Sequence, residues 1–188
     1  MSLRDVRVRR GANLPHWTLD GATYAVVFRL ADSVPQHVHA RSTQFASGRL
    51  GHERLSAAID LALDAGHGAC WMKRPEVAAL VGQAIHQFDG DRYRLSAWCV
   101  MPNHVHVVVR PLASHSLPKI LQSWKGFTAH EANRRIGRAG AFWQRETYDH
   151  LIRDEAELHH HVQYVLDNPA KAGLRDWPWV WVRPNAAI

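Results

Sequence analysis

Apolar residues along the chain fall into two kinds of run, and these runs predict the order of secondary structure. Stretches rich in β-branched and aromatic residues indicate strands, whereas apolar residues at i, i+3 and i+4 indicate helices. The predicted strands are 23–30, 93–100 and 104–110, with a further strand or extended segment at 142–152. The predicted helices are 53–65, 75–88, 116–135 and 154–166.

Polar and special residues predict where the last of these helices begins and ends. Asp154 is suited to cap the helix N-terminus, and Glu157 follows three residues later, which is the spacing of a capping box. Pro169 lacks the amide hydrogen that an internal helical residue donates, so we expect the helix to stop before it.

The order of elements is strand, helix, helix, strand, strand, helix, strand, helix. A hairpin combined with long helices favours an α+β fold over a doubly wound parallel sheet. We expect a ferredoxin-like or RRM-like antiparallel sheet with helices on one face and an added C-terminal helix that carries Tyr164. The chain shows no repeat or linker, so residues 1–188 are assigned to a single domain. It has a basic N-terminal arm at 1–20 and a Trp-rich tail at 175–188 that packs back on the core.

Composition limits the classes of partner. The formal net charge is +6 and the sequence pI is about 9.8, which favours a polyanion such as nucleic acid. Two isolated cysteines, Cys70 and Cys99, give no disulfide framework. No apolar run reaches the length of a membrane span, and the N-terminus has no secretory signal pattern. The expected location is therefore the cytoplasm, with no membrane partner.

His104 and His106 are the first candidates for chemistry. Side chains alternate along a strand, so both imidazoles point to one face and can converge on one metal ion. The apolar run 107–109 anchors that strand in the core. The alternative is a pair of partly exposed polar residues. A second pair, His37 and His39, has no such anchor and is interpreted as part of a loop.

Tyr164 and Asn168 lie one turn apart on the last helix and share a face. A tyrosine hydroxyl can attack a phosphodiester when its proton is removed and a metal polarises the phosphate. The alternative is a tyrosine at the edge of the apolar stripe. Basic residues with aromatic neighbours can track a nucleic-acid backbone. The candidate DNA-binding residues are Arg7, Arg9, Arg10, Lys119, Lys125, Arg134, Arg145 and Arg153.

Three segments resemble one family. Segment 97–109 (AWCVMPNHVHVVV) resembles the HUH strand of single-tyrosine transposases, in which U is a bulky apolar residue. Segment 142–154 resembles the stretch before the tyrosine helix in the REP-associated tyrosine transposases. Segment 161–174 resembles the tyrosine pattern of the same family, with a tyrosine, three further residues, Asn-Pro and then a Lys-Ala-Gly run. The three segments occur in the expected order, and the likeness extends over about residues 21–179.

The resemblance implies a metal-dependent endonuclease and strand transferase for single-stranded DNA. His104, His106 and Asn168 would hold Mg²⁺ or Mn²⁺, and Tyr164 would form a 5′-phosphotyrosine intermediate. The substrate would be a hairpin of a repetitive extragenic palindrome (REP). The implied protein is nucleoid-associated and a monomer, with a dimer as the alternative.

Three other readings of the same residues remain open. A hairpin-binding protein or repressor that has lost catalysis would keep the sheet and the basic surface. A metal hydrolase would use a bound water in place of Tyr164. Tyr148 is a second candidate nucleophile, although it lacks the Asn-Pro context.

Overall fold

The computed structural model describes residues 7–10, 15–19, 21–33, 63 and 65–184. Its main sheet has five antiparallel strands. They are β3 (Thr23–Arg29), β4 (Tyr93–Val100), β5 (His104–Pro111), β6 (Tyr148–Ile152) and β7 (Val180–Val182). Their spatial order is β6-β3-β5-β4-β7. Across the described residues, the sheet is accompanied by the α-helices α1 (Pro75–His86), α2 (Leu117–Ile136) and α3 (Glu155–Lys171).

The first four strands of this sheet follow the chain order of a ferredoxin-like fold. The first strand (β3) lies between the fourth (β6) and the third (β5), and the second (β4) lies outside the third. The connections from β3 to β4 and from β5 to β6 contain helices, while β4 and β5 form a hairpin. The predicted α+β antiparallel fold is confirmed.

The alternation of side chains along β5 separates two apolar layers. Val105, Val107 and Val109 point to the face covered by α1 and α2, which is the larger core. Val108 points to the other face, where Val162 and Val165 of α3 pack. The C-terminal helix is therefore an addition on the opposite face of the sheet, and His104 and His106 point toward it because they share the parity of Val108.

Close packing joins α1 to the sheet at Gly82. A Cβ atom at this position would lie 2.9 Å from the Trp98 ring of β4, which is closer than real Cβ contacts. Glycine therefore permits the helix to approach the strand. The two cysteines, Cys70 and Cys99, are buried and free.

The prediction that Pro169 ends the last helix is wrong. The helix α3 runs to Lys171 and contains Pro169 in its last turn. Pro169 is buried, and its carbonyl accepts a hydrogen bond from the amide of Leu174. Because only one amide donor is missing near the end of the helix, packing and these terminal bonds are sufficient to continue it. The chain leaves the helix at Gly173, which has φ of +71°.

The Trp-rich tail packs back on the sheet, as predicted, but it also forms the edge strand β7. Val180–Val182 pairs with β4, and the indole of Trp177 donates to the carbonyl of Val100. Arg183 holds the end of the strand through an ion pair with Asp89.

The basic N-terminal segment forms a two-stranded antiparallel sheet. Strand β1 (Arg7–Arg10) pairs with β2 (Pro15–Thr18), a hairpin that the sequence pattern does not predict. The predicted loop with His37 and His39 and most of the predicted helix 53–65 lie outside the described residues. Within the described residues, no helix is both long and apolar enough to cross a membrane.

Candidate active site

His104 and His106 lie at the start of β5, on the face of the sheet covered by α3, with their rings close together and nearly perpendicular. Both side chains are buried, and their Nε2 atoms are 2.8 Å apart. The ring centroids are 4.7 Å apart at an interplanar angle of 82°. Two imidazole nitrogens thus point toward one small volume, which is what a shared ligand requires.

Asn103 fixes the protonation pattern of His104. The side-chain amide of Asn103 donates to the carbonyls of Leu63 and His67, so its orientation is set by two bonds. Its Oδ1 lies 2.8 Å from Nδ1 of His104 and therefore accepts the Nδ1–H. The Nε2 atom of neutral His104 then carries a lone pair, in the arrangement by which outer residues orient histidine ligands of metals.

Burial keeps both imidazoles neutral. It holds the pKa of His104 well below the usual value, with a further lowering from neighbouring His106. Burial, with a smaller contribution from His161, lowers the pKa of His106 to about 3. Neutral imidazole is the form that binds metal ions.

Tyr164, on α3, lies close to His106 of this pair. Its ring centroid is 5.5 Å from that of His106, at an interplanar angle of 74°. Both rings line a cavity of about 380 Å³ between α3 and the strands β3, β5 and β6. The cavity is also lined by Tyr148, which begins β6, so both candidate nucleophiles border the same space.

Lys171 lies two turns beyond Tyr164 on the same helix. Its Nζ atom is 4.7 Å from the centre of the Tyr164 ring, in a cation–π contact. This contact exists because α3 continues through Pro169, which brings Lys171 back to the face that carries Tyr164. The helix thereby places a positive charge beside the phenol.

Asn168, the third predicted ligand, is buried one turn beyond Tyr164. Its Oδ1 atom has no hydrogen-bond partner among the described residues. A buried amide oxygen without a partner is destabilising by about 1–3 kcal/mol. Asn168 is not among the described residues that line the cavity.

A second group of ligand-type side chains lines the cavity next to Tyr164. His150 of β6 and Glu157 and His161 of α3 bring one nitrogen or oxygen each to within 4.8 Å of one another. Nε2 of His150 is 2.7 Å from Oε1 of Glu157. Burial, with smaller contributions from His150 and His160, lowers the pKa of His161 to about 4.

The predicted DNA-binding residues differ in their surroundings. Lys119, Arg134, Arg145 and Arg153 are exposed, and Arg134 pairs with Glu131. Lys125 is half-buried and donates to the carbonyl of Arg145 and to Thr147. Burial lowers its pKa to about 8. The three arginines Arg7, Arg9 and Arg10 lie on strand β1.

Sequence reasoning missed several residues of this region. Asn103 precedes the histidine strand in the motif Pro-Asn-His, so its position was a usable signal. The grouping of His150 with Glu157 and His161 has no such signal because it depends on how β6 meets α3. The contact of Lys171 was missed because the helix was expected to end earlier.

The chain resembles known proteins over the segment that holds these features. Residues 74–168 match the family model described as "Transposase IS200 like". This match covers half of the chain, from α1 to Asn168, and includes both histidines and Tyr164. The chain belongs to the IS200-like transposase family.

Two curated relatives match part of the chain. The chain is 28% identical over 103 residues to a REP-associated tyrosine transposase of Haemophilus influenzae, across 44% of this chain and 55% of the relative. It is 27% identical over 106 residues to the REP-associated tyrosine transposase of Escherichia coli, across 53% of this chain and 61% of the relative. These alignments span somewhat more than half the length of each relative.

A solved structure shares the fold. It is a REP-associated tyrosine transposase bound to a REP hairpin, with a TM-score of 0.54 and 20% sequence identity. The similarity covers 88% of this chain and 79% of that chain. This likeness supports the antiparallel α+β architecture independently of the sequence matches.

Proposed function

We propose that this protein cleaves and rejoins single-stranded hairpin DNA, with Tyr164 as the nucleophile. The observation that carries the proposal is the position of the Tyr164 ring, 5.5 Å from the ring of buried His106 across a shared cavity. A phenol beside two convergent, neutral imidazoles is suited to attack a phosphate that a cation holds. Catalysis by a bound water would not require a tyrosine at this place.

The proposed step exchanges one phosphodiester for another. The Tyr164 oxygen forms a bond to phosphorus, and the bond from phosphorus to the 3′ oxygen of the preceding nucleotide breaks. The phenol proton passes to water in the cavity, and the departing oxygen takes up a proton to become a 3′-OH. The product is a 5′-phosphotyrosine, and attack by a 3′-OH reverses the step and rejoins DNA.

The residues present fit a divalent cation. His104 and His106 would supply nitrogens, and the buried Oδ1 of Asn168, without a partner in the described part of the chain, would supply an oxygen. Amide oxygen and imidazole suit Mg²⁺ or Mn²⁺. Such an ion supplies Lewis-acid polarisation of the scissile phosphate. Lys171, beside the phenol, would add positive charge for the same phosphate.

The relatives support hairpin DNA as the substrate. Two matched relatives are REP-associated tyrosine transposases, and the solved structure with the same fold is bound to a REP hairpin. Exposed Lys119, Arg145 and Arg153 would contact phosphates. The protein would act as a monomer on chromosomal DNA in the cytoplasm.

The proposal is tested with an end-labelled hairpin carrying single-stranded flanks, incubated with Mn²⁺ and resolved on a denaturing protein gel. Wild type is expected to give a slowly migrating covalent adduct that chelator abolishes. Tyr164→Phe is expected to lose the adduct completely and to bind the same DNA with an unchanged Kd, because only the attacking oxygen is missing.

Tyr148→Phe is the matched control because Tyr148 borders the same cavity. It should retain the adduct. An adduct that persists in Tyr164→Phe and disappears in Tyr148→Phe would assign the nucleophile to Tyr148. If wild type binds the hairpin tightly but gives neither adduct nor cleavage, the proposed enzymatic activity is wrong and the protein is a hairpin-binding protein.

A further inference from the structure

His150, Glu157 and His161 form a compact group with the chemistry of a metal site, separate from the His104 and His106 pair. Glu157 and His161 are one turn apart on α3, so they share a face. His150 reaches them from β6. One ligand atom of each lies within 4.8 Å of the other two, and all three side chains are half-buried in the cavity wall.

The carboxylate of Glu157 is oriented by a hydrogen bond to the backbone. Its Oε2 accepts a hydrogen bond from the backbone amide of Arg153, while Oε1 faces His150 at 2.7 Å. This arrangement leaves one oxygen directed at the group. A ligand oriented by a second hydrogen bond is a general property of protein metal sites.

An ion pair between His150 and Glu157 accounts for only two of the three residues. The His161 ring lies 5.1 Å from the His150 ring, measured between centroids, and a nitrogen of His161 lies within 4.8 Å of a carboxylate oxygen of Glu157. Small side-chain rotations bring ligand atoms at these distances to the spacing of about 3–3.5 Å that bonds of 2.0–2.2 Å require.

We propose that His150, Glu157 and His161 bind a divalent transition-metal ion, of which Zn²⁺ is the representative, with a coordination position open to the cavity. Two histidines and one glutamate form one of the ligand sets of zinc sites that keep an open position. If the function proposed above holds, this position would receive a phosphate oxygen of DNA beside Tyr164. The metal site itself does not depend on that function.

The test is zinc binding by the full chain, stripped of metal and without DNA. Calorimetric titration with Zn²⁺ is expected to give two sites in wild type. In His106→Gln one site should remain, and combining it with His161→Gln or Glu157→Gln should weaken that remaining site at least 100-fold. Co²⁺ titration should show the visible absorption of a nitrogen- and oxygen-coordinated ion, lost in the same double variants.

His159→Gln is the matched control because His159 is an exposed histidine on the same helix outside the cavity lining. It should leave both sites unchanged. Circular dichroism would confirm that each variant is folded, and agreement between the Glu157 and His161 variants guards against a local folding defect. The proposal is overturned if His106→Gln abolishes all zinc binding, or if the two double variants, His106→Gln with His161→Gln and His106→Gln with Glu157→Gln, bind zinc as His106→Gln alone does. Neither result bears on the Tyr164 adduct, which is measured separately.

Discussion

At the scale of single residues, the site depends on side chains that orient the reactive groups as much as on the reactive groups themselves. Asn103 accepts the Nδ1–H of His104 and is itself fixed by two backbone carbonyls. The lone pair of His104 therefore points toward His106 before any ion binds. Such an outer residue typically contributes 10- to 100-fold to metal affinity.

The first prediction concerns Asn103. Asn103→Leu removes the acceptor and frees the ring of His104 to change tautomer, so the Mn²⁺ concentration for half-maximal adduct should rise about 10- to 100-fold. The measurement is adduct formation against Mn²⁺ concentration. Gln122→Leu, at an exposed amide on α2, should leave the curve unchanged. An unchanged curve for Asn103→Leu would mean that this bond does not orient a ligand.

The second prediction concerns Lys171. Lys171→Gln removes the cation beside the Tyr164 ring and should slow adduct formation at saturating DNA by roughly tenfold, because fixed positive charge stabilises developing negative charge. Lys171→Arg should retain most of the rate. Rapid-quench measurement of the adduct separates the rate from the Kd. A loss confined to the Kd would assign Lys171 to DNA binding alone.

At the scale of elements, α3 carries Tyr164, Asn168 and Lys171. The interactions that fix the start of this helix therefore help to hold all three site residues in place. Asp154 caps the helix, and its Oδ1 accepts the backbone amide of Glu157. Asp154→Ala should lower the free energy of unfolding by about 1 kcal/mol, and Asp154→Asn by much less. Urea unfolding measures both. Equal losses in the two variants would show that charge, and not the capping bond, is what matters.

The local pattern of apolar and polar residues was sufficient to predict the elements in which that pattern repeats regularly. Tyr93–Val100 forms the strand predicted at 93–100, and His104–Pro111 differs from its predicted strand by one residue. The pattern failed at Pro169, where buried packing outweighs one missing donor. It also missed β7, because three residues carry too little periodicity and the strand forms only by pairing with β4.

At the scale of the whole molecule, the two faces of the sheet have different roles. One face packs in the main hydrophobic core, and the other carries the candidate active site. The face under α1 and α2 holds the larger core, and the opposite face holds the histidines, Tyr164 and the cavity. The candidates His104, His106 and Tyr164 could be predicted because each lies in a local motif. The group of His150, Glu157 and His161 could not, since it exists only where β6 meets α3.

Buried histidines also link the stability of the whole molecule to pH. The pKa of His106 is lowered to about 3 by burial and that of His104 is lowered in the same direction, whereas in the unfolded chain both should be near 6.5. Between these values the unfolded chain binds more protons than the folded one. The contribution of these two histidines to folding stability is therefore fully present above pH 6.5 and is lost progressively as pH decreases toward 3.

The last prediction is measured by urea unfolding of the metal-free protein in chelator. From pH 7.5 to pH 5, His106 alone should account for a loss of about 2 kcal/mol, because each pH unit within the window changes the free energy by about 1.4 kcal/mol. His106→Gln should show a shallower pH profile than wild type. His130→Gln, at an exposed position on α2, should follow the wild-type profile. Parallel profiles for wild type and His106→Gln would mean that the pKa of His106 is the same in the folded and unfolded chain, so that burial does not keep this imidazole neutral below pH 6.5.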